Sequence, residues 1–133
     1  MLYDKSRIMI FEENSKATYL QIVDAISDAI ASGEYAEEER LPSVREYAAR
    51  VQVNANTVMR AYEMLSQRSL IHNRRGIGYF VSPGARESIM RERGDRLRSD
   101  GLESTFSMLR HLGISPDDLR DLYAGYLNRQ NDN

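Results

Sequence analysis

From residue 18 onward the apolar positions recur with a helical period. Tyr19, Ile22, Val23, Ile26, Ala29 and Ile30 fall at i, i+3, i+4, i+7, i+10 and i+11, which predicts one helix with a single buried face. Thr18 and Gln21 have the spacing of a capping box at its start. Gly33 is placed as a left-handed residue just past its end. Upstream, "IMIF" (Ile8–Phe11) predicts a short strand. Downstream, "EYAEEERLP" reads as a polar loop. Ser43 and Glu46 form a second capping box, and Val44, Tyr47, Ala48 and Val51 supply the inner face of a short helix. Only three residues, Gln52 to Asn54, separate it from a third helix, "ANTVMRAYEMLSQ", with Asn54 at its N-cap. Val58, Ala61, Tyr62 and Leu65 face inward there. Ala55, Asn56, Met59, Arg60 and Glu63 face out.

After Arg68 the period shortens. "LIHN" and "YFV" are short β-prone runs joined by "RRGIG", a turn whose glycines can take positive φ. "SPG" (Ser82–Gly84) breaks the pattern and divides the chain into 8–82 and 83–133. The remainder is helical. Ser88 to Leu97 carries Ile89, Met90 and Leu97, with Gly94 as an irregularity, and Gly101 interrupts it. Leu102, Phe106, Leu109 and Leu112 form a second stripe, closed by Gly113. Ser115, Pro116, Asp117 and Asp118 read as an N-cap, a proline at N1 and an acidic first turn. Leu119, Leu122, Tyr123, Tyr126 and Leu127 then repeat at helical spacing. The expected fold is mainly α with a small β-wing: an N-terminal winged helix-turn-helix and a short C-terminal helical tail.

Composition narrows the chemistry. At 133 residues the chain suits one domain, or a small domain with an appendage, and 41% apolar content suits a packed core. It holds no cysteine, so neither disulfides nor thiol chemistry arise. No apolar run approaches the roughly 20 residues of a membrane span, and the N-terminus lacks a signal-peptide stretch. A cytoplasmic protein is expected. His72 and His111 have no partners at metal-ligand spacing. Gly76-Ile77-Gly78 lacks the third glycine and the strand-to-helix setting of a nucleotide loop. No nucleophile–base–orienter set is present, so neither an enzyme nor a cofactor is expected.

Charge is unevenly placed. The net charge is −2, yet residues 40–81 hold seven arginines against two glutamates, while residues 1–39 are strongly acidic. A basic middle in an acidic chain suggests a local anion-binding face, although ordinary charge scatter gives the same count. Asn56 and Arg60 lie on the polar side of the third helix, and these side chains can pair with adenine and guanine edges in a major groove. Arg45 sits in the first turn of the second helix, unfavourably for that helix's dipole unless a phosphate lies nearby. Arg74 and Arg75 flank Gly76 on the hairpin, where a wing could reach a minor groove or the sugar-phosphate backbone. Asn54 serves as a helix cap or as a base reader. Thr57 either touches a phosphate or closes the first turn. Tyr19, Tyr47 and Tyr62 are expected in the core.

"YLQIVDAISDAIASGEY", "RLPSVREYAARVQVNANTVMRAYEMLSQRSLI" and "RRGIGYFV" resemble the winged-helix domain of GntR-family transcription regulators. The short tail with "LGIS" is similar to the YtrA-like subfamily. The resemblance implies DNA contacts at Ser43, Arg45, Asn54, Asn56, Thr57, Arg60, Arg75 and Gly76. Departures fall at Ala55, where relatives often carry Pro or Arg, at Met59, where some carry a base-reading Arg, and at Ser69, where Gly is usual. The tail is too small to build its own core, so its apolar stripes must pack on the first domain or on a second copy. The resemblance favours the second copy, through Phe106, Leu109, Leu119, Leu122, Tyr123 and Tyr126. The expected function is a transcription regulator, a repressor, that binds a palindromic double-stranded DNA operator as a homodimer. The alternative is an effector-responsive sensor with a ligand site in the tail or at the dimer interface. The sequence names no effector. A winged helix used for protein contact fits the basic middle less well.

Overall fold

The structure, a computed structural model, describes residues 17–132. The strand expected at Ile8–Phe11 lies outside them. The described chain forms two compact units that meet in sequence between Glu92 and Arg93.

The first unit contains α1 (Thr18–Ala31), α2 (Val44–Val51), α3 (Ala55–Gln67), β1 (Ile71–Arg74), β2 (Gly78–Val81) and most of α4 (Ala85–Arg96). Its core is the set of faces read from the pattern. Ile22, Val23, Ile26, Ala29 and Ile30 of α1 meet Val58, Ala61, Tyr62 and Leu65 of α3, with Tyr47, Ala48 and Val51 of α2 alongside. Ala85 and Ile89 of α4 belong to the same core, so the unit continues past the Ser82–Gly84 break. The Ser43–Glu46 capping box forms in both directions, and Asn54 caps α3. Gly33 takes φ +85° past the end of α1. Ser69 takes φ +61° after α3, which explains why glycine suits that position better.

Three further expectations for the first unit need correction. The capping box at Thr18 does not form: Ala17 is the N-cap of α1, and no side chain bonds to the cap. Thr18 lies one residue inside the helix, so its hydroxyl is past the position from which it could cap. Tyr19 is half-buried at the edge of the core rather than inside it. "EYAEEERLP" is not a simple polar loop. Tyr35 and Leu41 are buried, and residues 38–41 pair with β2. The Glu38 N–H donates to the Val81 carbonyl at 2.8 Å, the Leu41 N–H to Tyr79 at 2.8 Å, and the Val81 N–H to Glu39 at 3.0 Å. This segment gives the antiparallel β1–β2 hairpin a third, short edge.

The second unit holds the end of α4, a π turn (Leu97–Gly101), α5 (Glu103–His111) and α6 (Pro116–Asn131). Gly94 does not disturb α4; the irregularity is the π turn after it. Gly113 takes φ +71° after α5. Ser115 is the N-cap of α6 with Pro116 and two acidic residues in the first turn, as expected, and Asp118 completes a reciprocal capping box that the sequence reading did not name. None of the described residues of this unit is buried.

Candidate nucleic-acid interface

Two helix starts and one hairpin turn carry the expected contact residues. α2 begins at its cap, Ser43, whose Oγ accepts from the Glu46 N–H at 3.1 Å. Arg45 follows in the first turn, exposed and without a side-chain partner among the described residues. A cation there opposes the positive end of its helix. A phosphate beside that turn would reverse the sign of the interaction.

The left-handed Gln52 (φ +56°) turns the chain from α2 towards α3. Asn54 caps α3, its Oδ1 accepting from the Asn56 N–H at 2.8 Å. One lone pair of that oxygen is thereby used, and Asn54 can still offer a ligand its amide N–H₂ and the second lone pair. Asn56, Met59, Arg60 and Glu63 are exposed at i, i+3, i+4 and i+7, which puts them on the face opposite Val58, Ala61, Tyr62 and Leu65. Asn56 has no side-chain partner among the described residues. Thr57 is half-buried, with its N–H donating to the Asn54 carbonyl at 3.0 Å. Arg60 is not loose in solvent: its guanidinium carbon lies 3.8 Å from the centre of the Tyr19 ring.

The aromatic residues behind this face fix its position. The Tyr62 hydroxyl donates to the Pro42 carbonyl at 2.6 Å, next to the cap of α2. The Tyr62 ring packs edge-on against Tyr79 of β2, with centroids 5.1 Å apart, and tilted against Tyr47 of α2 at 6.3 Å. Burial pushes the Tyr62 phenol well above the ordinary tyrosine range, so it stays a neutral donor.

At the wing, Arg74 is the last residue of β1, paired in register with Gly78, and Arg75, Gly76 and Ile77 make the turn. The Ile77 N–H closes it onto the Arg74 carbonyl at 2.9 Å. Gly76 (φ +79°) needs the left-handed region. Gly78 (φ +137°) also leaves room for Arg40: a Cβ there would lie 3.1 Å from the Arg40 Nε. The two adjacent arginines differ. Arg75 is exposed, with no side-chain partner among the described residues. Arg74 is held by Glu38 at 2.5 Å, and its guanidinium carbon lies 4.1 Å from the centre of the Phe80 ring. His72 stacks on the same ring at 6.1 Å and bonds to the Ser82 hydroxyl at 3.0 Å. Phe80 is thus covered by its cross-strand neighbours and stands outside the main core cluster.

Sequence reading missed Glu38, Arg40 and the Tyr19 stack. The alternation of His72, Arg74 and Phe80 was available as a signal that Arg74 shares a face with an aromatic ring. Nothing local pointed to Glu38, which lies 36 residues away.

A winged helix-turn-helix with an exposed polar face on its second helix and a free arginine at the hairpin turn defines a DNA-binding transcription regulator. The chain belongs to the GntR family, "Bacterial regulatory proteins, gntR family", whose profile matches residues 18–81. It is 34% identical over 107 residues to the uncharacterized HTH-type transcriptional regulator YhcF of Bacillus subtilis, covering 80% of this chain and 87% of that one. It is 32% identical over 83 residues to the HTH-type transcriptional repressor YtrA of the same organism, covering 62% and 64%. Among solved structures, a GntR-family transcriptional regulator from Bacteroides thetaiotaomicron superposes with a TM-score of 0.71 at 46% identity, over 86% of this chain and 99% of that one. The AraR DNA-binding domain, solved in complex with operator ORX1, shares the fold at a TM-score of 0.52 and 21% identity, over 57% and 98%. These relatives are transcription regulators rather than enzymes. Among the described residues, no helix is long and apolar enough to cross a membrane.

Proposed function

We propose that the protein acts in the cytoplasm as a homodimeric repressor on a palindromic operator. In this reading α3 enters the major groove. Asn56 and Arg60 meet base edges, Ser43, Arg45, Asn54 and Thr57 approach phosphates, and Arg75 and Gly76 bring the wing to the flanking groove. Arg74 adds positive charge while bracing the wing through Glu38 and Phe80.

The observation that carries the dimer is the second unit. Phe106, Leu119, Leu122, Tyr123 and Tyr126 are all exposed, Leu109 is half-buried, and no core among the described residues collects them. A soluble chain rarely leaves so many large apolar side chains on adjacent helices without a partner. A second copy is the simplest one, because a two-fold interface needs only a self-complementary patch. One small winged helix makes few contacts, whereas two held together read two half-sites. The name of the relative YtrA supports repression as the outcome.

Sedimentation of the full chain and of Leu122→Asp tests the assembly. The wild type should sediment as a dimer and the variant as a monomer that binds DNA far more weakly. Selection from a random DNA pool should return inverted repeats. Recovery of single, asymmetric sites would rule out the two-fold reading.

A further inference from the structure

Arg60 presents a long, flexible cation on an otherwise exposed helix face, yet its guanidinium carbon lies over a ring from a different helix, 3.8 Å from the ring centre. Tyr19 supplies that ring from the first turn of α1, and its half-buried body packs against the core. Arg60 and Tyr19 are therefore coupled across α1 and α3, the pair of helices with the most extensive contact in the fold. No other side-chain partner of Arg60 exists among the described residues.

A stacked guanidinium offers its face to the ring and keeps its edge donors free. Those edge donors are the atoms that make a bidentate contact with a guanine. An unsupported arginine loses several rotatable bonds' worth of freedom on binding, which opposes the contact. An arginine already laid on a ring loses less. We propose that Tyr19 is a positioning residue for sequence recognition: its ring holds Arg60 in the orientation that reads the base. The inference rests on the reading of Arg60 as a base contact. It adds a specificity determinant in α1, a helix that carries none of the expected DNA contacts.

Tyr19→Leu and Tyr19→Phe, compared on the selected site and on random DNA, test it alone and combined with Arg60→Ala. Tyr19→Leu should lower the preference for the selected site by about three- to tenfold and leave affinity for random DNA and its salt dependence unchanged. Tyr19→Phe should restore the preference, because the ring and not the hydroxyl does the positioning. In the Arg60→Ala background Tyr19→Leu should change nothing further, the signature of a shared pathway. Wild-type side-chain protons of Arg60 should show upfield ring-current shifts in the free protein, a measurement that needs no variant to fold. Absence of those shifts would overturn the proposal. So would a Tyr19→Leu loss that persists without Arg60, or a Tyr19→Phe that weakens both DNAs evenly, which would make the hydroxyl a backbone contact. If Arg60→Ala itself leaves the preference intact, the base-contact reading fails first. If Arg60→Ala relaxes the preference and Tyr19→Leu does not, only the positioning role fails.

Discussion

Ile26 in α1 and Leu122 in α6 look alike in sequence: each sits in an apolar stripe at helical spacing, on a helix with polar residues on its other side. In the structure Ile26 is 1% exposed and Leu122 is 60% exposed. The first unit closes its stripes on one another, because α1, α2, α3, the hairpin and the start of α4 supply complementary faces. The second unit has the end of α4, the π turn, α5 and α6, and no face to close against within its own described residues. Periodicity reports that a side of a helix is meant to be covered. It does not say whether the cover comes from the same chain.

The largest test of this contrast pairs Leu65→Ala with Leu122→Ala. Leu65 is fully buried, and its truncation should destabilise the first unit by about 2–5 kcal/mol in denaturant unfolding. Leu122→Ala should leave the unfolding of the first unit untouched and shift only the concentration at which dimers form. A stability loss of similar size from both would mean that the tail stripe is already covered within one chain.

A smaller effect separates recognition from assembly. Arg60→Ala should cost about 1–3 kcal/mol on the preferred site and much less on random DNA. Arg75→Ala and Arg45→Ala should weaken both DNAs evenly and lower the salt slope by about one unit per protomer. Binding isotherms at several salt concentrations, with folding checked by circular dichroism, measure both. If Arg60→Ala lowered the two affinities by one factor, Arg60 would be a backbone contact and base reading would pass to Asn56.

The smallest effect belongs to the tail's own local order. The backbone N–H and hydroxyl of Ser115 hold the Asp118 carboxyl below its ordinary value. Because the folded value is depressed, the cap's contribution is complete above the ordinary aspartate range. It is lost as pH falls through the lowered value. Ser115→Ala removes the hydroxyl and keeps the larger contribution of the backbone N–H, so it should raise the Asp118 midpoint only part of the way towards about 3.9, as followed by NMR. An unmoved midpoint would remove the hydroxyl as a cause and leave the backbone N–H alone.

What the sequence made legible was local. The Ser43–Glu46 box, the Asn54 and Ser115 caps and the inner faces of α1 to α3 depend on residues a turn apart, so spacing alone identifies them. Thr18 shows the limit, since a one-residue shift of the helix start is enough to leave a capping pattern unused. The pairing of residues 38–41 with β2 was invisible because its partners lie about forty positions downstream, and the acidic run around it reads as solvent-facing. Arg74 and Arg75 are neighbours with the same side chain. The ion pair to Glu38 and the contact with the Phe80 ring distinguish the brace from the free cation, and the ion pair had no local signal. The stack of Arg60 on Tyr19 was hidden for the same reason. Each residue has a satisfactory reading by itself, as an exposed cation and as a core aromatic, and only the packing of α1 on α3 joins them.

The bond from Tyr62 to Pro42 has a mechanical consequence. It clamps the middle of α3 to the residue before the α2 cap, and the rings of Tyr47 and Tyr79 stiffen the joint on either side. The jaw between Arg45 and the Asn56–Arg60 face is thereby set at one opening. If those residues touch phosphate and base edges, the protein works as a calliper as well as a reader. A duplex whose groove does not match that opening must itself be bent to fit, so deformable sequences gain affinity at positions that no side chain touches.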